Sequence, residues 1–386
     1  MPILFGVILL DLIGFGIVIP ILPFLSPELG ADRMDIALII VAYASCAGIA
    51  GPFWGRLSDR VGRKPVIMVC LAGAAMAYVM LGLASQLWMV YAARAFAGLM
   101  AGNFGVASAM IADITRPENR ARGMGVIGAA FGLGLVLGPV LGGLLTVDGS
   151  FTLPCIVAGG MSVLAIIAAA VFLPESNTRE KRDAHRAQLE STQRESVYQL
   201  LRRTGNRMLV FQYVLHNSCV SATTYLVPLW TAELLGWGAR EVGILFGVQG
   251  AIMVVMQGGM IGPLVRVLGE WPFLRLTTGC LVVGLALAIY ARDMPAMVMA
   301  TFIIMTAATL CMPLLNAITT HRAPAVSRGR MMGTTSAASS WGRVVGPLLA
   351  GAGLANAGFS VAWGGTLCLA LCYFAWVWRA NRLRRE

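Results

Sequence analysis

Asp11 stands inside an otherwise apolar run, Pro2 to Ile19, in the first stretch of the chain able to cross a bilayer. A carboxyl in such a place is costly and faces a cavity, a partner or a proton path. Desolvation works against its charge, so it can take up and release a proton as water reaches and leaves it. Contact with a cationic substrate group and a structural polar contact are the two other readings. Arg94, in the fourth apolar run, is a candidate counter-charge. His216 could titrate near neutrality, or serve as a hydrogen-bonded packing residue. The basic run Gly55-Arg56-Leu57-Ser58-Asp59-Arg60-Val61-Gly62-Arg63-Lys64 carries another kind of chemistry. Its glycines permit a tight turn, Asp59 can face a neighbouring helix N-terminus, and Arg60, Arg63 and Lys64 can pair with carboxylates or lipid phosphates. Asp113 is the expected acidic partner; a plain basic topology anchor is the alternative.

Other chemistry is missing from the pattern. The three histidines (His185, His216, His321) and eight cysteines show no paired metal-ligand spacing and no nucleophile–base arrangement, so neither a metal site nor an enzyme is expected. The cysteines all fall in apolar runs, as small packing residues would. A Walker-type phosphate loop is also missing, which leaves an ion gradient or the substrate's own gradient as the energy source, with no cofactor.

The elements that position these residues follow from composition. Of 386 residues 58% are hydrophobic and 12% charged, against about a quarter charged in ordinary soluble proteins. Runs of about 20 apolar residues cross a hydrocarbon layer, and twelve are expected: 3–25, 36–57, 65–84, 87–113, 123–145, 151–173, 208–230, 241–265, 272–291, 295–318, 330–354 and 358–378. Lipid cannot satisfy open backbone groups, so the spans must be helices and the fold class an all-α integral membrane bundle. The first span is expected to stay in the mature chain, being too long for an ordinary signal core.

Net charge is +11. Lys and Arg gather at alternate loops, 58–64, 115–122, 174–207 and 320–329, and in the tail with Arg379, Arg382, Arg384 and Arg385. That is the positive-inside pattern, and it places these loops and both termini in the cytoplasm. No groove-reading motif accompanies the basic tail, so a nucleic-acid partner is not expected.

The polar stretch 174–207, opening Pro174-Glu175-Ser176-Asn177, divides 1–173 from 208–386, six spans from six. The halves repeat. Arg122-Gly123-Met124-Gly125 and Gly138-Pro139-Val140-Leu141-Gly142-Gly143 recur 208 residues later as Arg330-Met331-Met332-Gly333 and Gly346-Pro347-Leu348-Leu349-Ala350-Gly351. Parallel six-helix repeats suit a secondary transporter with a site near the bilayer midplane. Gly134, Gly138 and Gly142 recur every four residues, leaving a helix face that another helix can approach closely, with Pro139 expected to bend it and Gly143 extending the small face. Asn103, Gln212, Asn217, Gln249, Met253, Asn316 and Arg343 are the embedded groups expected to line a substrate cavity. Gln212 and His216 share a face, as do Ser336, Ser339 and Arg343. Met253, Met256 and Met260 offer a soft lining, or simply packing.

The 55–64 run resembles the signature between helices 2 and 3 of the major facilitator superfamily. Leu10-Asp11 through Pro20 and Pro23, Arg94-x-x-x-Gly98-x-x-x-Gly102, and Gly134-x-x-x-Gly138-Pro139-x-x-Gly142-Gly143 resemble its drug/proton antiporter branch. Within that branch, Ile111 to Thr115, Gly128 to Leu145 and Gly262 to Glu270 resemble bacterial tetracycline/proton antiporters. The resemblance implies a major facilitator fold of the bacterial inner membrane that exports an amphipathic small molecule against protons; nothing in the sequence demands an oligomer, so a monomer is expected. It also implies an Arg63–Asp113 contact that breaks when the cytoplasmic side opens. The acidic residues of those antiporters in helices 3 and 9 and the histidine in helix 8 are here Ala77, Val283 and Met253, so tetracycline recognition is not part of the implication. Import of a polar or anionic metabolite, for which Arg343, Asn316 and His216 would serve as an anion site, and handling of a lipid-like substrate entering sideways are the other two functions the sequence admits.

Overall fold

The computed structural model describes residues 2–115, 120–146, 150–178, 180, 204–322 and 328–382. Most of the 174–207 stretch, and Arg384 and Arg385 of the tail, lie outside the described residues. In chain order the helices are α1 (Pro2–Val18), α2 (Leu22–Glu28), α3 (Arg33–Val61), α4 (Arg63–Gly82), α5 (Leu87–Leu99), α6 (Asn103–Ile114), α7 (Arg120–Leu145) and α8 (Thr152–Phe172). They continue as α9 (Thr204–Leu235), α10 (Ala239–Val255), a π-helical turn (Met256–Met260), α11 (Ile261–Leu268), α12 (Glu270–Tyr290), α13 (Met294–Arg322) and α14 (Arg328–Arg382).

Among the described residues, nine helices are long and apolar enough to cross a membrane, and a tenth span comes from α1 and α2, bent by 46°. One of the nine, 50 residues long, is interrupted at Gly358, whose φ of 79° is outside the helical range. It therefore comprises two spans. The remaining one is α9, 32 residues long and made less apolar by Gln212, His216 and Asn217. With α9 counted by its length, the described residues supply twelve segments, the number expected from hydropathy.

Chain contacts sort the structure into two compact units, Met1–Ala31 with Ser45–Gln193 and Gly238–Ala251, and Asp32–Ala44 with Arg194–Trp237 and Ile252–Glu386. In lipid, burial of apolar surface does not drive helices together, so close packing of small residues must. The first unit shows this along α7. A Cβ at Gly138 would stand 2.6 Å from the Cα of Gly16 in α1, and one at Gly142 would stand 2.4 Å from the Ile17 carbonyl oxygen. The opposite face of α7 meets α10, where a Cβ at Gly243 would lie 2.4 Å from the Pro139 oxygen. The second unit repeats the device 208 residues on. There, a Cβ at Gly342 would lie 2.5 Å from the Val214 oxygen of α9, and one at Gly346 would lie 2.2 Å from that of Ser218. The glycines of α7 thus seat the helix that bears Asp11.

Helix 4 departs from the continuous span expected over 87–113. It breaks at residues 100–102 into α5 and α6. The indole of Trp54 accounts for the break: its Nε1 donates to the Leu99 carbonyl at 2.6 Å, and its ring sits where a Cβ on Gly102 would be, 2.4 Å away. One carbonyl freed from the helix ladder is thereby satisfied.

Candidate functional site

Because α6 begins afresh at Asn103, that side chain is turned toward α1, and its Nδ2 donates to Oδ2 of Asp11. Asn103 Oδ1 accepts from the Phe104 amide at 2.9 Å, which fixes the orientation of the amide group. A void of about 10 Å³ lies against the pair, walled by Leu4, Ile8, Ile67 and Leu71. It is about the room one water needs. Among the described residues the carboxyl therefore has one neutral donor and no ion pair, with space for a single water.

The donor that meets Asp11 is Asn103, where Arg94 was the expected partner. Arg94 lies on α5, before the break, and is buried with 6% of its surface exposed, while Asp11 is held by Asn103 instead. The turn at 100–102 is what presents Asn103 to α1.

The basic run between α3 and α4 forms a connected polar cluster. Gly62 joins the helices with φ 116° and ψ 160°, a conformation only glycine takes without strain. Arg63, 9% exposed, sends NH1 to Asp59 Oδ1 at 2.7 Å and to Ser58 Oγ at 2.7 Å, and its Nε to Asp113 Oδ2 at 3.0 Å. The expected Arg63–Asp113 contact is present. Asp59 is engaged by Arg63, and the carboxylate at a helix N-terminus is a different one. Glu175 accepts the Arg63 amide at 2.9 Å and the Lys64 amide at 3.1 Å, capping α4 with a full negative charge where the helix dipole favours it. Ser176 Oγ donates to Asp113 at 3.3 Å, and Asn177 Nδ2 to the Asp59 carbonyl at 3.2 Å. Lys64 Nζ reaches the Ala170 carbonyl at 2.8 Å, while Arg60 is exposed. The opening of the polar stretch is thus part of the cluster. A carboxylate after an apolar run was the available signal, and the density of charge after it concealed the role.

In the second unit, Tyr213 Oη donates to Asn316 Oδ1 at 2.7 Å and lies 3.2 Å from Thr319 Oγ1. Asn217 spends its amide on the Tyr213 carbonyl, one turn back at 3.0 Å. Gln212 and His216 share a face as expected, and that face is interior: they are 0% and 3% exposed, and the imidazole meets the Tyr373 ring edge-on at 5.9 Å. Among the described residues no carboxylate pairs with His216. Gln249 and Met253 are also buried, at 6% and 9%. Arg343 is exposed and donates NH2 to Ser340 Oγ at 3.0 Å. Ser339 is turned inward to the Thr335 carbonyl, so the open strip is exposed Ser336, partly buried Ser340 and exposed Arg343. Tyr213 escaped the sequence reading because a tyrosine in an apolar run reads as packing.

Helices that cross a membrane in repeated halves, small-residue contacts that recur at one spacing, and an arginine latched between two aspartates after a Gly-rich turn define a transporter rather than an enzyme. The chain belongs to the Major Facilitator Superfamily, whose family model matches residues 4–325. It is 28% identical over 344 residues to the class H tetracycline resistance protein of Pasteurella multocida, covering 88% of this chain and 85% of that one. It is 27% identical over 357 residues to multidrug resistance protein 2 of Bacillus subtilis, covering 90% and 87%. The crystal structure of the human organic anion transporter MFSD10 (TETRAN) superposes with a TM-score of 0.75 at 24% identity, covering 97% of this chain and 98% of that one, and shows the shared fold.

Proposed function

We propose that this transporter exports an amphipathic, drug-like small molecule in exchange for protons, with Asp11 as the group that carries the proton. The observation that carries the reading is the Asp11–Asn103 pair: an intramembrane carboxyl with an amide donor, room for one water and, among the described residues, no ion pair. Such a group exchanges a proton when water reaches it and is otherwise held by a donor that bears no charge. Similarity to tetracycline and multidrug resistance proteins supports the direction of transport. The distribution of Lys and Arg supports an orientation with both termini in the cytoplasm of a bacterial inner membrane. Asn316, held by Tyr213, and the exposed Arg343 are the groups of the second unit assigned to the substrate. His216 is assigned to packing, because it is buried against Tyr373 and among the described residues no acid pairs with it.

The test is proton movement in sealed proteoliposomes, with a pH dye inside and amphipathic drugs added outside acid-loaded vesicles. Drug-evoked proton efflux that disappears in Asp11→Asn, with labelled-drug exchange retained, is the expected result. Equal loss of exchange and coupling would make Asp11 a substrate contact. The exposed cation of Arg343 favours a second reading, import of an anionic metabolite, and substrate-driven proton entry with organic acids would establish it.

A further inference from the structure

Arg275 lies a little over one turn inside α12, near the end of the second unit at which α14 terminates. Its guanidinium carbon stands 4.3 Å from the centre of the Trp378 ring, so the cation is laid against the indole face. Trp378 is in turn fixed edge-on by Phe374 at 6.1 Å. One turn deeper along α12, Gly279 faces Phe374, where a Cβ would sit 3.6 Å from the ring and narrow the seam between the helices. The Nε of Arg275 is buried and has no hydrogen-bond partner. Among the described residues no carboxylate pairs with this arginine; Glu270, at the start of the same helix, is engaged by His321 at 3.1 Å. Arg379, next to Trp378, is exposed. The surface running inward from the two arginines is apolar and open, with Leu276 at 55%, Leu371 at 46% and Trp378 at 43% exposure.

A cation held on an indole, an exposed arginine adjoining that indole in the chain, and an apolar strip beside them match one ligand in shape and charge. We propose that this seam binds an anionic phospholipid, with its phosphate on Arg275 and Arg379 and an acyl chain along Leu276, Gly279 and Leu371. Guanidinium groups bind phosphate oxygens in a fixed fork, and the stacked indole holds Arg275 in one orientation. A zwitterionic headgroup fits less well, because its ammonium needs an acceptor and Glu270 is already taken. This site is separate from the Asp11 pair, and its existence does not depend on the direction of transport or on the ion that drives it.

The experiment uses the full-length protein, delipidated in detergent. Thermal unfolding is followed as phosphatidylglycerol, phosphatidylethanolamine or inorganic phosphate is added, and retained lipid is counted by native mass spectrometry. The wild type is expected to hold phosphatidylglycerol at least fivefold more tightly than phosphatidylethanolamine and to gain no stability from phosphate alone. Arg275→Gln should bring the preference close to one, Arg275→Lys should keep part of it, and Arg292→Gln, whose arginine bonds Ser360, should leave it unchanged. Equal retention of the two lipids by the wild type would overturn the proposal whether or not the variants fold. So would a phosphate effect equal to that of the lipid, which would leave a simple anion site, or an undiminished preference in a folded Arg275→Gln protein.

Discussion

At the scale of the residue, the proposed proton exchange rests on how Asp11 is kept. Its one donor is Asn103, and a hydrogen bond to a charged group contributes about 1.5–3 kcal/mol. If the pair acts as a unit, removing either member should cost nearly what removing both costs. Asp11→Asn and Asn103→Leu are each expected to lower drug-evoked proton flux at least tenfold, with the double variant no worse. Losses that add would show that Asn103 works elsewhere. Arg94→Gln, by contrast, should leave the number of protons per drug unchanged, measured by paired drug and pH fluxes, because the donor to Asp11 is Asn103. Asp11 was legible in the sequence because a carboxyl among aliphatic residues has few uses. Its partner was not, because partnership depended on a turn forced by Trp54, forty-nine residues away from Asn103. No local pattern encodes that contact.

At the scale of the element, glycines decide where the helix bearing Asp11 can sit. Crowding a packed interface by one methyl costs about 1–3 kcal/mol, and Gly138 leaves no room for one, since the atom would fall 2.6 Å from the Gly16 backbone. Gly138→Ala should therefore insert normally yet lose most transport, and Gly346→Ala, its counterpart in the second unit, should do the same. Gly128→Ala is the control, with nothing within 4 Å of the added carbon. Transport in reconstituted vesicles and unfolding temperature would be compared; a Gly138→Ala protein as active as Gly128→Ala would remove the close contact from the mechanism. Gly62→Ala tests a different constraint, the turn at φ 116°, and should destabilise by about 1–3 kcal/mol in thermal unfolding. These glycines were legible, because spacing by four on an apolar helix is already a statement about a face. The helix that would fill the face was not, since α1 and α10 lie on opposite sides of α7 and the period alone names neither. The bend of α1 into α2 and the break of helix 4 were hidden for a related reason: hydropathy measures the length of a run and is silent about turns within it.

At the scale of the whole molecule, a transporter must pass between states of comparable free energy, so a contact made in only one of them sets a rate. The cluster around Arg63 has the makings of such a contact. It draws on the end of α3, the start of α4, Asp113 at the end of α6, and Glu175 to Asn177 after α8. None of these residues belongs to the sites assigned to the drug or the proton. Loosening the cluster should then shift the population of states while leaving the substrate's own contacts intact. A change of about 1–2 kcal/mol in that balance corresponds to roughly 5- to 30-fold in rate. Asp113→Asn removes one of two charges from a mostly buried guanidinium, and Glu175→Gln removes the charge that caps α4. Each is expected to change turnover by that order while drug Kd moves less than twofold, read from equilibrium binding and initial rates on the same preparation. Asp59→Asn should do likewise to a smaller extent, since its carboxylate is half exposed and a surface pair contributes less. Turnover unaltered in all three would reduce the cluster to an anchor for the basic loop. A parallel loss of affinity would mean that the cluster reaches the substrate site through the helices it ties together.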